Sequence, residues 1–216
     1  MTNYKIEVFC DNGNNANTYL VYNDNSCFII DPANNNKVLS KYIGEKTVLG
    51  ILLTHGHYDH FKSLKNLLEL YPTTVYMHKN AYTKLGDPNT SYAVMFGYPH
   101  PTNIDLQNVR FVKNDDVITL GEFTIKCWYT PGHTDCCMSY LLDNDLFSGD
   151  FIFNGSIGRC DLATANMIRM SNSLNELKKR KDNYTIYPGH DSSTTLEEEK
   201  KYNRYLIENG LNHLFD

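Results

Sequence analysis

The chain contains no apolar run of 18 residues, so no segment of it is suited to spanning a bilayer. Its six cysteines (Cys10, Cys27, Cys127, Cys136, Cys137 and Cys160) form no CxxC pair and no regular ladder. That excludes a disulfide-stapled scaffold and points to free thiols in a reducing compartment. The first residues show no apolar stretch of signal-peptide type, and a cytoplasmic location is expected. Basic blocks are short. The densest, Lys178-Lys179-Arg180-Lys181, reads as the exposed end of a helix. With 20 basic against 25 acidic residues and a net charge of -5, nothing tracks a phosphate backbone, and neither nucleic acid nor membrane is expected as a partner. Linkers and internal repeats are also missing.

What is present suffices for a full core. The 216 residues are 41% hydrophobic, and a compact chain of this size buries roughly 70% of its extended surface. One domain over 1–216 is expected. The first half reads as short strands: Tyr4-Ile6-Val8, Thr18 to Tyr22, Cys27 to Ile30, Val48 to Leu53 and Thr74 to Met77. Val48 to Leu53 is continuously apolar, the pattern of a strand buried on both faces. Helices are expected over Val38 to Ile43 and Asp59 to Leu70, with a helical insert between 87 and 101. From Val109 strands return: Phe111 and its neighbours, Val117 to Leu120, Phe123 to Tyr129, Met138 to Leu142, Asp145 to Ser148 and Thr185 to Tyr187. Helices over Ala165 to Arg180 and Glu197 to Glu208 complete the set. Strands in both halves, each set followed by helices, predict two packed sheets with helices outside.

The decisive run is Thr54-His55-Gly56-His57-Tyr58-Asp59-His60. Four groups that bind metals fall within six positions, where a buried strand gives way to a helix. Imidazole and carboxylate suit zinc, and also iron or manganese. One tetrahedral ion cannot use all four and keep an open position, so two adjacent ions are expected. His133 in Pro131-Gly132-His133, Asp150 in Ser148-Gly149-Asp150 and His190 in Pro188-Gly189-His190 repeat one pattern of strand, glycine, ligand. His78, His100 and His213 lack that context. Cys136 and Cys137 read as buried strand residues.

This grouping resembles the metallo-beta-lactamase superfamily, whose His-x-His-x-Asp-His signature it carries. The resemblance covers nearly the whole chain and implies an α+β four-layer alpha-beta-beta-alpha sandwich. It implies one metal on His55, His57 and His133, another on Asp59, His60 and His190, and Asp150 bridging. Within the superfamily the chain is similar to the short bacterial glyoxalase II branch. The features are Asn17-Thr18-Tyr19-Leu20-Val21, Leu85-Gly86-Asp87-Pro88-Asn89, Gly155-Ser156-Ile157-Gly158-Arg159-Cys160-Asp161, and Thr194-Thr195 before Glu197 to Glu199. Cys160 stands where members carry threonine, Asp135-Cys136 where they carry Pro-Gly, and Asp191 where they carry glycine.

That likeness implies hydrolysis of a thioester such as S-lactoylglutathione. The nucleophile is a bridging hydroxide between divalent ions roughly 3.5 Å apart, zinc first, with iron or manganese as alternatives. Asp59 and Asp150 would orient that hydroxide, while Gly158, Arg159 and Asp161 would lock the neighbouring loop or, for Arg159 and Asp161, contact a ligand from behind. Tyr92 or Tyr98 would line the entrance. His190 lies 26 residues before the last, room for one closing helix, which predicts broad thioester selectivity. The rival readings are a mononuclear iron persulfide dioxygenase and a lactonase or beta-lactamase. A nuclease or non-catalytic role is disfavoured by the acidic balance and the complete ligand set. Nothing in the sequence fixes an oligomeric state.

Overall fold

Strand residues of this chain alternate between two different cores, and that alternation builds the architecture. The computed structural model describes residues 3–10, 16–34, 36–100, 104 and 108–207. One sheet consists of β1 (Lys5–Phe9), β2 (Thr18–Tyr22), β3 (Ser26–Ile30), β4 (Thr47–Leu52), β5 (Val75–Met77) and β6 (Val109–Phe111), in that spatial order. It is antiparallel from β1 to β3 and parallel from β3 to β6. The second half supplies β7 (Val117–Leu120), β8 (Phe123–Tyr129), β9 (Met138–Leu142) and β10 (Asp145–Gly149). A small hairpin, β11 (Ile152–Phe153) and β12 (Ser156–Ile157), follows, then β13 (Thr185–Pro188) and β14 (Thr194–Thr195). The second sheet has the order β14-β13-β10-β9-β8-β7.

Tyr19, Val21, Phe28, Ile30 and Leu52 meet Phe123, Ile125, Met138, Tyr140 and Phe147 between the sheets. Their neighbours Leu20, Cys27, Ile29 and Ile51 face the other way. There they pack on α1 (Asn36–Ile43), α2 (Tyr58–Phe61), α3 (Leu64–Leu70) and α4 (Lys79–Leu85). On the far side Leu146 and Ile186 pack against α5 (Met167–Lys178) and α6 (Leu196–Tyr202). Three cores separate four layers, helix, sheet, sheet, helix. Each fully buried aromatic or branched side chain contributes about 1.5–3 kcal/mol, so the pattern that fixes strand faces also carries the stability. Among the described residues no helix is long and apolar enough to cross a membrane.

Several expectations need correction. The helix expected over Asp59 to Leu70 is two, α2 and α3, because the Ser63 amide donates to Pro32 O (3.0 Å) and leaves the helical ladder. The insert contains one short 3-10 turn, Ala93–Phe96. Helix α4 was not expected. Its cap is His78, whose ring accepts from the Asn80 amide, and Lys84 interrupts its buried face, so neither the usual cap nor an apolar stripe marks it. Helix α6 is shorter than expected: it ends at Tyr202, where Asn203 turns to extended backbone, and residues 203–207 are not helical, while residue 208 lies outside the described residues. Cys136 and Cys137 are buried, as expected, but sit in the turn before β9.

Candidate metal centre

Strands β3 and β4 run parallel, as do β10 and β13, and β8 runs with β10 because β9 is antiparallel to both. The segments that leave their carboxyl ends converge on one rim. Asp31 follows β3, the 54–60 run follows β4, and His133, Asp150 and His190 follow β8, β10 and β13.

All seven expected ligand residues come together there. Donor atoms of His55, His57 and His133 lie within 4.8 Å of one another, as do those of His55, His60 and Asp150, and those of Asp59, His60 and His190. His55 and His60 are each shared by two groups, so the three form one continuous row. His57 Nδ1 and His133 Nε2 are 2.9 Å apart. Asp150 sits mid-row: Oδ1 is 3.3 Å from His60 Nε2, and Oδ2 is 3.4 Å from His133 Nε2 and 3.6 Å from His190 Nε2. Asp59 Oδ2 approaches His190 Nε2 at 3.3 Å.

His55 Nε2, His57 Nε2, His60 Nε2 and Asp150 Oδ1 are buried without a hydrogen-bond partner. Such an orphan costs about 1–3 kcal/mol. A cation among imidazole nitrogens and carboxylate oxygens removes that cost, and this donor set fits zinc, iron or manganese.

Electrostatics divide the row. Burial, then the neighbouring imidazoles, hold His55 well below its ordinary range, and burial with His133 holds His57 down to about 3. Both are neutral, as ligands must be. Burial also disfavours charge on His60 and His190, but carboxylates override it: Asp150, Asp59 and Asp31 raise His60, and the Asp59 hydrogen bond raises His190. Burial would push the Asp59 and Asp150 carboxyls up, and His60 above all keeps both down as carboxylates.

The ligands are held from behind. His133 Nδ1 donates to the Arg159 carbonyl (2.8 Å), which leaves Nε2 facing the row. His60 Nδ1 donates to Asp31 Oδ2 (2.8 Å), and Asp31 also accepts from the Thr54 amide (2.8 Å) and hydroxyl (2.5 Å). The Asn17 amide donates to Gly189 O (2.6 Å), and its side chain to Pro188 O (3.1 Å) and Asp191 O (2.9 Å), fixing the turn of His190. A β-carbon at Gly189 would overlap Asp150 Oδ1, and one at Gly158 would overlap the Asp150 carbonyl, so only glycine allows the loops to close around the ligands.

The expected loop residues act in different ways. Arg159 reaches a ligand through its carbonyl alone. Its guanidinium forks onto Asp161 at 2.6 and 2.7 Å, with both side chains more than three-fifths exposed. Tyr92 lays its ring edge-on to His57 at 5.2 Å and accepts from the Ala163 amide (2.6 Å). Tyr98 is exposed and packs on Tyr58, while Phe153 stands 6.0 Å from His190. His78 caps α4, His100 is exposed, and His213 lies outside the described residues.

Sequence reasoning missed Asp31, which it read as a strand stop, and the positioning role of Asn17. It also missed buried Glu199, which accepts from the Gly155 amide (3.0 Å), Thr194 Oγ1 (2.8 Å) and Asn203 Nδ2 (2.6 Å) and so anchors the hairpin before Gly158. An acidic residue ending a buried strand beside the ligand strand was the available signal for Asp31.

A sequence profile described as metallo-beta-lactamase superfamily matches residues 11–190. The probable metallo-hydrolase YqgX of Bacillus subtilis (strain 168) is 33% identical over 196 residues, 88% of this chain and 92% of that protein. A hydroxyacylglutathione hydrolase of Francisella philomiragia is 28% identical over 187 residues, 85% of this chain and 66% of that protein. Among solved structures, the BLEG-1 B3 metallo-beta-lactamase superposes with a TM-score of 0.87 at 28% identity, covering 94% of this chain and all of that one.

Proposed function

The chain belongs to the metallo-beta-lactamase superfamily, and from that premise we propose that it is a two-metal hydrolase of thioesters of the S-lactoylglutathione kind, acting in a reducing compartment such as the cytoplasm. The observation that carries the reading is the position of Asp150, within 3.3–3.6 Å of ring nitrogens from both ends of the ligand row. His55, His57 and His133 would hold one ion and Asp59, His60 and His190 the other, with Asp150 between them. Two divalent ions there would supply an acidified water and a Lewis acid for the acyl oxygen.

The rest falls to the chain. Asp31 and the Arg159 carbonyl each accept a hydrogen bond from an Nδ1–H, so that His60 and His133 present Nε2 toward the row. Asp59, kept ionised, accepts a hydrogen bond from the attacking water and sets its line of approach. The thiols of Cys136, Cys137 and Cys160 do not compete as nucleophiles: burial pushes those of Cys136 and Cys160 up to about 11 and holds that of Cys137 well above its ordinary value. A thiolate leaves without an acid because its own pKa is only about 8.5. That suits a site built of ligands alone and supports a thioester over an amide. All six cysteines are free, which supports the reducing compartment.

A second reading, hydrolysis of a beta-lactam, is favoured by the superposition on BLEG-1. The test is metal analysis of protein purified without added metal, paired with turnover of S-lactoylglutathione and of a chromogenic cephalosporin. Two ions and thioester turnover support the proposal. Cephalosporin turnover alone replaces it with the second reading, and one iron with oxygen uptake on glutathione persulfide makes the chain a dioxygenase.

A further inference from the structure

Helix α4 lies on the turn that carries His55 and His57. A β-carbon on Gly56 would come within 2.8 Å of Lys84 Cβ and 3.0 Å of the Ala81 carbonyl. From that contact the Lys84 side chain runs, 4% exposed, to Asp135, where its ammonium meets Oδ1 at 2.7 Å. Asp135 stands two residues after His133. Its other oxygen accepts from Asn80 Nδ2 (2.9 Å), also on α4, and its carbonyl accepts from the Tyr129 hydroxyl (2.9 Å).

We propose that Lys84, paired with Asp135, is a positioning residue for the three-histidine group, clasping the turn of His55 and His57 to the turn of His133. The geometry is direct. His55, His57 and His133 come from two separate loops, and Lys84 touches both, its stem on Gly56 and its ammonium on the 131–137 turn. An ammonium this deeply buried is costly without a partner, so the pair resists opening. Clasp and backbone are complementary: the Arg159 carbonyl sets the rotation of the His133 ring, and Lys84 sets how far that ring stands from the other two. The proposal rests on the metal reading for the presence of ions and is independent of the substrate.

The test uses the full chain stripped of metal, in four forms: wild type, Lys84→Met, Asp135→Asn and the double variant. Melting temperature is measured without metal, and affinity for Zn2+ alone by competition with a chromophoric chelator. Each single variant is expected to lose about tenfold or more in affinity for one of the two Zn2+ equivalents, the scale typical of residues that orient ligands, with the other equivalent unchanged. Removing both charges relieves the unpaired partner, so the double variant recovers melting temperature. Its Zn2+ affinity stays low, because the clasp is gone. Wild-type affinity in the double variant, or affinity that merely follows melting temperature across all four, overturns the proposal, and so does a wild type that binds no Zn2+. A wild type that binds two Zn2+ and leaves thioesters intact sinks the proposed function and leaves the clasp standing.

Discussion

The two ends of the ligand row are built differently. At the three-histidine end, His55, His57 and His133 are 0%, 5% and 3% exposed. At the other end, His190 is 30% exposed and Asp59 15%. At the closed end burial holds His55 and His57 uncharged, and the end is fixed by a backbone carbonyl and by the contacts of α4. The open end carries two carboxylates, which raise the basicity of His60 and His190, and it is fixed by the side chains of Asp31 and Asn17. Under the proposed function, the more buried end would retain its ion, and the more exposed end would leave room for substrate and exchange its ion more readily. Phe153 beside His190 and Tyr92 beside His57 wall the approach at the two ends.

Asp150 belongs to both ends, and its loss should have the largest effect. Asp150→Asn is expected to lower thioester turnover by on the order of a thousandfold or more, with an unchanged circular-dichroism spectrum. Near-wild-type turnover would remove Asp150 from the site. Gly158→Ala strikes the closed end, where the new methyl meets the Asp150 carbonyl and crowds His133 Cβ. Overpacking of this kind costs about 1–3 kcal/mol, and for a chain of this size each kcal/mol lowers the melting temperature by about 2–4 °C. An unchanged melting curve would show that the loop has another course. Asp31→Ala strikes the open end by freeing His60 Nδ1. One Zn2+ equivalent should weaken about 10–100-fold while the tighter one keeps its affinity, and equal weakening of both would erase the distinction between the ends. The smallest effect belongs to Arg159→Ala. The carbonyl that holds His133 survives the substitution, and the lost ion pair is solvent-exposed, so affinity and melting temperature should match wild type within error.

Much of this was legible in the sequence, for identifiable reasons. The end of β4, Gly50 to Leu52, is buried on both faces, in keeping with its apolar run. Strands β7 and β8 alternate buried with exposed positions, and the expected bounds of β2, β7, β8 and β9 match those observed. The candidate ligands were legible as a group because four of them occupy one short run and the other three each follow a glycine. What stayed hidden acts across the sequence. Asp31 reaches His60 over 29 positions, and its place at the end of a buried strand was the one signal for it. Arg159 was expected beside a ligand, but it holds His133 with a main-chain oxygen, which every residue has, so the atom was not legible. Lys84 was hidden for the opposite reason: a lysine on the buried face of α4 broke the pattern by which helices are recognised.

The most direct test of the account is a titration of metal-free protein with Zn2+, following bound metal and S-lactoylglutathione turnover in the same samples. The account predicts two equivalents of unequal affinity, with turnover rising only as the second, weaker one binds. Full turnover at one equivalent, or saturation at one, would contradict it.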